Sequence, residues 1–229
     1  MRIADGEVHL HLAPVVAERG FEALLADARA DLSADEVAAA LRFRFERHRI
    51  LYAFAHSFLR VTLASYLDVA PSSLVFEQLE HGRPELARQS GDRALRFNLS
   101  HTEGMVMLGV TARADIGVDV ERVEPDRAEE SLARRVFTPE EVRAWRGDAE
   151  SFFDRWTLKE SYMKARGVGL SLGLQSFGFD GTRLVCAPEF DDPSRWQFVS
   201  FAASPSHRAA ACVRADTPVA WRFFGRERP

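Results

Sequence analysis

The stretch that decides the fold is IGVDVE, residues 116–121, in which apolar residues alternate with two acids. Such alternation predicts a strand with one apolar face. Asp119 and Glu121 then project from the opposite face, about 6.6 Å apart along the strand. Alternating acids usually mark only the solvated face of a strand, so the meaning of this segment depends on its neighbours.

A second segment, WTLKESYMK at residues 156–164, has the pattern of a helix. Glu160 and Lys164 stand at positions i and i+4, which lie on one helix face. The helix therefore offers a third carboxylate with a cation beside it. Magnesium prefers oxygen ligands and commonly takes a few carboxylates together with water and substrate phosphate. Asp119, Glu121 and Glu160 are thus candidate ligands of a divalent cation held against a phosphate.

Composition sets the broad class of the protein. The chain has 229 residues, 46% of them hydrophobic, which suits one large domain or two small ones. A formal net charge of -4 argues against a general nucleic-acid binder, because such proteins carry a concentrated basic surplus. The first residues include acids where a secretory signal needs an apolar run, and no later stretch approaches about eighteen consecutive apolar residues. We expect a cytoplasmic protein that does not cross a membrane.

The two cysteines, Cys186 and Cys212, form neither a zinc motif nor a disulfide framework. We expect both to be reduced packing residues, consistent with a cytoplasmic location.

The first half of the chain begins with VHLHL at residues 8–12, which alternates like a strand with His9 and His11 on a half-exposed face. Ser33 and Glu36 have the spacing of a capping box, which starts a helical stretch reaching about Leu67.

The next segments, residues 95–100 and 105–110, have the pattern of a hairpin, and the strand at residues 116–121 follows a short turn. This order predicts that Ser100, His101 and the carboxylate pair are neighbours in one sheet. A second capping box, Thr138 with Glu141, precedes a helix over about residues 150–165. Further strands are expected at residues 183–186, 196–202, 208–214 and 219–224, so that each half offers strands and capped helices, which suggests duplication.

The order of the motifs carries more information than any one of them. They are GRP at residues 82–84, FNLSH at 97–101, GVDVE at 117–121, FTPEE at 137–141, WTLKESYMK at 156–164 and GVGL at 167–170. This order resembles that of the 4'-phosphopantetheinyl transferases of the Sfp type, densely from about Arg83 to Phe179 and faintly elsewhere. The resemblance implies an α+β fold of two subdomains related by a pseudo-twofold axis. Each would be a small, mainly antiparallel sheet with packed helices, and the active site would lie between them.

The resemblance also implies an activity. Phosphopantetheine would pass from coenzyme A to a serine of an acyl or peptidyl carrier protein, releasing adenosine 3',5'-bisphosphate. Asp119, Glu121 and Glu160 would bind Mg²⁺ with the coenzyme pyrophosphate. Glu160 would also take the serine proton in concert with attack, since a carboxylate is a weak base for an alcohol. Lys164 would complement the phosphates as a point charge.

Further site residues follow from the same resemblance. Ser100 and His101 would approach the coenzyme phosphates, and His101 joins Glu160 and Lys164 as a catalytic candidate. Lys159 is a candidate helper in coenzyme binding.

Coenzyme contacts from the first half depend on arginines. Arg83 stands where the family usually has a lysine or arginine. Elsewhere this half departs from the family, because VAAA at residues 37–40 and HRIL at residues 48–51 replace basic runs that help hold the 3'-phosphate. We assign Arg49 to coenzyme binding, with Arg42, Arg44 and Arg47 as further compensating cations.

The length and the two capped halves suit the family plan in which one chain contains both halves. We therefore expect a monomer with an N-terminal subdomain at residues 1–113 that contacts the nucleotide and a C-terminal subdomain at residues 114–229 that carries the Mg²⁺ site. By family analogy alone, the carrier protein would dock between Arg127 and Trp145.

Two other functions remain open from the sequence. A non-catalytic protein could bind coenzyme A or a carrier protein without turnover, and a Mg²⁺-dependent phosphate-ester hydrolase could use water as the nucleophile. A hydrolase built on Ser100 and His101 is disfavoured, because adjacent strand residues point to opposite sides and no G-x-S-x-G elbow is present.

Overall fold

The computed structural model describes residues 1–15, 20–78, 84–87, 95–167 and 172–225. Its secondary structure follows one order of elements twice. The first half consists of β1 (Glu7–Pro14), α1 (Gly20–Ala28), α2 (Ala34–Arg42), α3 (Glu46–Leu67), β2 (Phe76–Gln78), β3 (Pro84–Leu86), β4 (Arg96–Thr102) and β5 (Met105–Thr111). The second half consists of β6 (Ile116–Arg122), α4 (Glu130–Val136), α5 (Pro139–Ala144), α6 (Ala149–Arg166), β7 (Phe177–Asp180), β8 (Arg183–Cys186), β9 (Trp196–Ser204) and β10 (His207–Arg214), followed by β11 (Ala220–Phe224).

Two sheets carry the fold, one with strand order β11-β1-β5-β4 and one with order β6-β10-β9. In the first sheet, β1 lies antiparallel to β5, and β5 pairs with β4. In the second sheet, β6 lies antiparallel to β10, and β10 pairs with β9. Small hairpin sheets, β2-β3 and β7-β8, accompany them. The repeated order of elements and strands confirms the expected α+β fold built from two similar halves.

The apolar faces of the two sheets pack against each other to form the central core. β1 contributes Val8, Leu10 and Leu12, and β6 contributes Ile116, Val118 and Val120. Each outer face is covered by the long helix of its half, α3 on the first sheet and α6 on the second. The alternation read in residues 116–121 thus places its apolar side chains between the sheets and leaves its acids facing α6.

The last strand crosses between the halves. β11 pairs in parallel with β1, with Val8 opposite Trp221. The segment expected as the C-terminal subdomain therefore completes the sheet of the N-terminal one. The expected boundary between residues 113 and 114 falls in the turn that joins β5 to β6, and it stays a prediction.

Most local predictions agree with the structure. Both capping boxes are formed, Ser33 with Glu36 and Thr138 with Glu141. The helical stretch expected to continue to Leu67 is interrupted, because Phe43 and Phe45 adopt extended conformations between α2 and α3. Both cysteines are free, as expected.

The histidine face of β1 differs from expectation. His9 and His11 are only 4% and 6% exposed, and Nδ1 of His9 and Nε2 of His11 each lie 2.7 Å from the hydroxyl of Tyr66 on α3. Phe224 of β11 stacks on His11, with ring centroids 4.6 Å apart. The prediction of a half-exposed face is wrong because α3 and β11 cover it.

Among the described residues, one helix, Glu46–Leu67, meets the length and hydropathy criteria for a membrane span. Half of its most apolar window is buried in the protein. The core helix of a soluble protein passes the same test, so length and hydropathy do not distinguish such a helix from a membrane span.

Candidate functional site

Gly117 allows β6 and α6 to approach closely. A Cβ at this position would lie 1.9 Å from the carbonyl oxygen of Ser161 and 2.4 Å from the amide nitrogen of Ala165, both on α6. Any larger residue would therefore force the helix away from the strand. The close approach brings the acidic face of β6 under the helix face that carries Glu160 and Lys164.

Three side chains from three elements meet at the centre of this contact. Nζ of Lys164 lies 2.6 Å from Oδ1 of Asp119 and 3.0 Å from Oγ of Ser100. The Ser100 hydroxyl donates to the same Asp119 oxygen at 3.0 Å. Asp119 is 3% exposed, so this ion pair is largely shielded from water. The structure thus unites three of the residues that the sequence selected.

Ser100 and the carboxylates belong to different sheets, so the expectation of one sheet is wrong. β4 and β6 are the edge strands of their sheets, and side chains of β4 connect them. Oδ1 of Asn98 accepts the N–H of Val118 at 2.9 Å, and Oγ of Ser100 accepts the N–H of Val120 at 3.3 Å. Alternate residues of one edge strand therefore supply the acceptors that a neighbouring strand would otherwise provide.

Glu121 and Glu160 complete the acidic group. Burial, together with the negative charge of Asp119, raises the pKa of each of these two carboxyls to about 7, while Lys164 acts in the opposite direction. The hydroxyl of Thr102 donates to Oε2 of Glu121 at 3.5 Å. Three carboxyls within reach of one another's charge make a site that favours protons or cations.

The residues present suit a hard divalent cation in kind and charge. Oδ2 of Asp119 is buried and accepts no hydrogen bond within the described part of the chain. Carboxylate oxygens are the donors that Mg²⁺ prefers. As they stand, no group of three or more His, Cys, Asp or Glu side chains among the described residues is arranged to hold a metal ion. Asp119, Glu121 and Glu160 are donors of the right chemical kind, but in the arrangement observed Lys164 lies on Asp119 and the three carboxylates do not converge on one point.

His101 lies beside this group but on a different side of β4 from Ser100, as successive strand residues do. The ring is exposed at the surface. Even so, burial by the surrounding protein lowers the pKa of His101, and the neighbours His56 and Lys164 act in the same direction. The imidazole is consequently neutral at neutral pH and can still donate one hydrogen bond.

His56 on α3 is a neighbour that the sequence reasoning missed. Its Nδ1 lies 3.1 Å from Oε1 of Glu36, and its ring stacks on Tyr52 with centroids 4.0 Å apart. Although burial opposes the shift, bonds from His56, the Ser33 amide and Arg60 lower the pKa of Glu36 to about 2. His56 lies about two helical turns after Arg49 on α3, so the two residues share a helix face. This spacing could have identified His56 from the sequence as a neighbour of the site.

Lys159 does not belong to the site. Its side chain is fully buried, and Nζ donates to the carbonyl oxygens of Leu174 at 2.8 Å and Phe177 at 2.7 Å. It also pairs with Oε2 of Glu141 at 2.8 Å. These partners use all three hydrogens of the ammonium group. The prediction that Lys159 helps to bind the coenzyme is therefore wrong, and the residue anchors α6 to its surroundings.

Of the two arginines assigned to coenzyme binding, Arg49 lies within the described residues. Arg49 lies in the first turn of α3, where Nε donates to the carbonyl oxygen of Phe43 at 2.7 Å. It is about 10 Å along the helix from His56. Its assigned contact with the coenzyme stays a prediction, and Arg83 lies outside the described residues. The further arginines Arg42, Arg44 and Arg47 are exposed.

Comparison with known proteins identifies the family. A model described as the 4'-phosphopantetheinyl transferase superfamily matches residues 115–214. The chain is 36% identical to 4'-phosphopantetheinyl transferase HetI of Nostoc sp. over 176 residues, which cover 75% of this chain and 73% of that protein. It is 29% identical to 4'-phosphopantetheinyl transferase psf-1 of Bacillus pumilus over 193 residues, covering 80% and 79%.

Among solved structures, the holo-(acyl-carrier-protein) synthase AcpS of Thermotoga maritima aligns with 45% of this chain and 64% of that chain, at a TM-score of 0.36 and 22% identity. This partial likeness adds nothing to the assignment, which rests on the family model and the sequence relatives. The chain belongs to the 4'-phosphopantetheinyl transferase superfamily, as the order of its motifs predicted.

Proposed function

We propose that this protein transfers the 4'-phosphopantetheine group of coenzyme A to a serine of an apo carrier protein, with Mg²⁺ as its metal. The observation that carries the proposal is the contact of Lys164 with Asp119 and Ser100, beside Glu121 and Glu160. These are the motif residues of the family. The relatives HetI and psf-1 are named for the same transfer.

The reaction forms one P–O bond and breaks another. The serine oxygen of the carrier attacks the phosphorus that bears the pantetheine arm, and adenosine 3',5'-bisphosphate leaves with the former bridging oxygen. When bound, Mg²⁺ would neutralise charge on the pyrophosphate, held by Asp119, Glu121 and Glu160. No covalent intermediate with the enzyme is needed.

Glu160 is the proposed acceptor of the serine proton. A general base works best when its pKa lies near the working pH, and burial beside Asp119 raises the pKa of Glu160 to about 7 in the ligand-free protein. A bound Mg²⁺ would lower this pKa again, so Glu160 is proposed as the base from its place in the motif, with proton transfer concerted with attack.

Lys164 and His101 are the proposed phosphate contacts. The ammonium of Lys164 is a compact charge on a flexible stem, and its side chain is 29% exposed, so it can reach a ligand above Asp119. His101 is neutral and exposed, which suits a hydrogen bond to a phosphate oxygen. The main role of Ser100 in the site is its hydrogen bond to Asp119, and a contact with the ligand would be secondary.

The first half of the chain would bind the nucleotide end of the coenzyme, and we retain Arg49 and Arg83 for this role. A monomer is supported because β4 of one half and β6 with α6 of the other build the site within one chain. Free cysteines agree with a cytoplasmic location. We keep the stretch from Arg127 to Trp145 as the carrier surface, where Arg135 and Arg143 are exposed.

Mass spectrometry of a carrier protein tests the proposed activity. Incubation of an apo carrier with the protein, coenzyme A and Mg²⁺ should add the mass of one phosphopantetheine, and the Asp119→Asn variant should not add it. Binding without any mass gain across a broad carrier panel would instead favour a non-catalytic binding protein. Breakdown of coenzyme A without a carrier would favour a hydrolase.

A further inference from the structure

We propose that Lys164 occupies the cation position at Asp119 in the ligand-free protein, so that a divalent cation binds well only together with an anionic ligand that draws the ammonium away. This inference deepens the proposed function, on which it rests, because it concerns the same site. It assigns to Lys164 a competing role before the reaction, in addition to its contact with phosphate.

The first support is geometric. Nζ of Lys164 lies 2.6 Å from Oδ1 of Asp119, slightly shorter than the roughly 2.7–2.9 Å of most charge-assisted N–H···O bonds. Asp119 is 4% exposed at its side chain, so water screens this pair poorly. Within the described part of the chain, the ion pair of Asp119 is the one with Lys164.

The second support is that the ammonium can leave. The side chain of Lys164 is 29% exposed, whereas that of Lys159 on the same helix is fully buried with every hydrogen in use. The Lys164 head can therefore turn outward without entering the core. Ser100 would still donate to Oδ1 of Asp119 at 3.0 Å, so one bond that orients the carboxylate persists.

The third support is the balance of charge. An ammonium and a dication that share one carboxylate repel each other, and the repulsion is strong where water is largely excluded. A pyrophosphate placed above the site offers the ammonium a new acceptor and adds the negative charge that the dication needs. The affinities of metal and coenzyme are therefore coupled, and by reciprocity each must tighten the other by the same factor.

Binding of Mn²⁺, followed by electron paramagnetic resonance of the free ion, tests the proposal with the full chain and no carrier. Without coenzyme, Lys164→Met should bind Mn²⁺ about tenfold tighter than wild type, within the usual range of such couplings. Lys164→Arg retains the charge and should stay weak. Coenzyme A should tighten Mn²⁺ binding by wild type more than by Lys164→Met.

Arg127→Met is the matched control. The charge of Arg127 acts on Glu121, but the guanidinium pairs with Glu124 at 3.8 Å rather than with Asp119. This variant should bind Mn²⁺ within about twofold of wild type, a change well below one tenfold step. An equal gain in both variants would show a general charge effect and overturn the proposal.

Equal or weaker Mn²⁺ binding by Lys164→Met would also overturn the proposal, because Lys164 would then support the metal site. If that variant does not fold, wild type alone decides: absence of coupling between Mn²⁺ and coenzyme A refutes the competition. The transfer activity is judged separately, by the mass gain of a carrier with wild-type protein.

Discussion

The side-chain oxygen of Asn98 accepts the main-chain N–H of Val118 at 2.9 Å, between the neighbouring edge strands β4 and β6 of the two sheets. Asn98 belongs to the first half and Val118 to the second, next to Asp119. An edge strand normally exposes its N–H groups to water or to another strand. Here side-chain oxygens of β4 accept the N–H groups of β6. The position of β6 therefore depends on residues of the opposite half.

The Asn98→Leu variant tests this connection. It keeps the approximate volume but removes the acceptor, which leaves the Val118 N–H without its partner. We expect a loss of about 1–3 kcal/mol in the free energy of unfolding, measured by urea denaturation.

Thr102→Val is its control, because the Thr102 bond to Glu121 is longer, at 3.5 Å, and involves no backbone group. It should cost less than about 1 kcal/mol. Equal costs for the two variants would contradict the special role of Asn98.

Gly117→Ala tests the close approach of β6 and α6. The added Cβ would meet the Ser161 oxygen at 1.9 Å, which no side-chain adjustment can relieve because the contact is with backbone. We expect a loss of about 1–3 kcal/mol in stability and a loss of transfer activity, since α6 must move with Glu160. Thermal unfolding and the carrier mass gain measure the two effects.

Gly173→Ala is the matched control, because its nearest neighbour would be the Ser176 hydroxyl at 4.0 Å and its φ of -58° suits alanine. A Gly117→Ala variant that behaves like Gly173→Ala would show that the helix is not held at the strand by this contact.

The sequence predicted those features that depend on near neighbours in the chain. The acids of residues 116–121 and the pairs Ser33 with Glu36 and Thr138 with Glu141 follow local rules, and the structure forms all of these elements. The burial of His9 and His11 could not be read locally, because the covering groups come from α3 and from the far end of the chain.

Lys159 shows a different kind of limit. Successive helix residues point about 100° apart, so Lys159 cannot share the face of Glu160. The spacing alone would have been an argument against a common site, although Lys159 was predicted to help bind the coenzyme. Its actual partner, Glu141, lies in the first turn of a separate helix, α5. The two residues form their ion pair only because α5 packs against α6 in the folded protein.

The pair of buried histidines predicts an acid-sensitive fold. Burial, with the nearby charge of His9, lowers the pKa of His11 from 6.5 to about 4. The unfolded chain then binds the proton more readily, so stability present above pH 6.5 is lost as the pH falls towards 4. The shift corresponds to roughly 3 kcal/mol. NMR titration of the His11 ring should give a midpoint near pH 4, and a midpoint near 6.5 would contradict the buried neutral state.

Glu121 and Glu160 should act in the opposite direction. Their folded pKa values of about 7 exceed the usual 4.5, so their contribution favours the folded state at low pH and is lost as the pH rises from 4.5 to 7. The free energy of unfolding of Glu160→Gln, compared with that of wild type, should therefore be higher at pH 7.5 than at pH 5. Urea unfolding of wild type and variant at both pH values measures the difference, and a pH-independent difference would contradict the raised pKa.

Glu160→Gln also tests the proposed base. The amide cannot accept the serine proton, so the transfer rate should fall by about 10²–10⁴-fold under saturating coenzyme and carrier. Glu150→Gln, on the same helix but paired with Arg208 at 2.5 Å, should retain nearly the full rate. Since the variant also loses a metal oxygen, the rate must be compared at saturating Mg²⁺. If saturating metal restores the rate of Glu160→Gln to that of wild type, Glu160 serves to bind the ion and the proton leaves by another route.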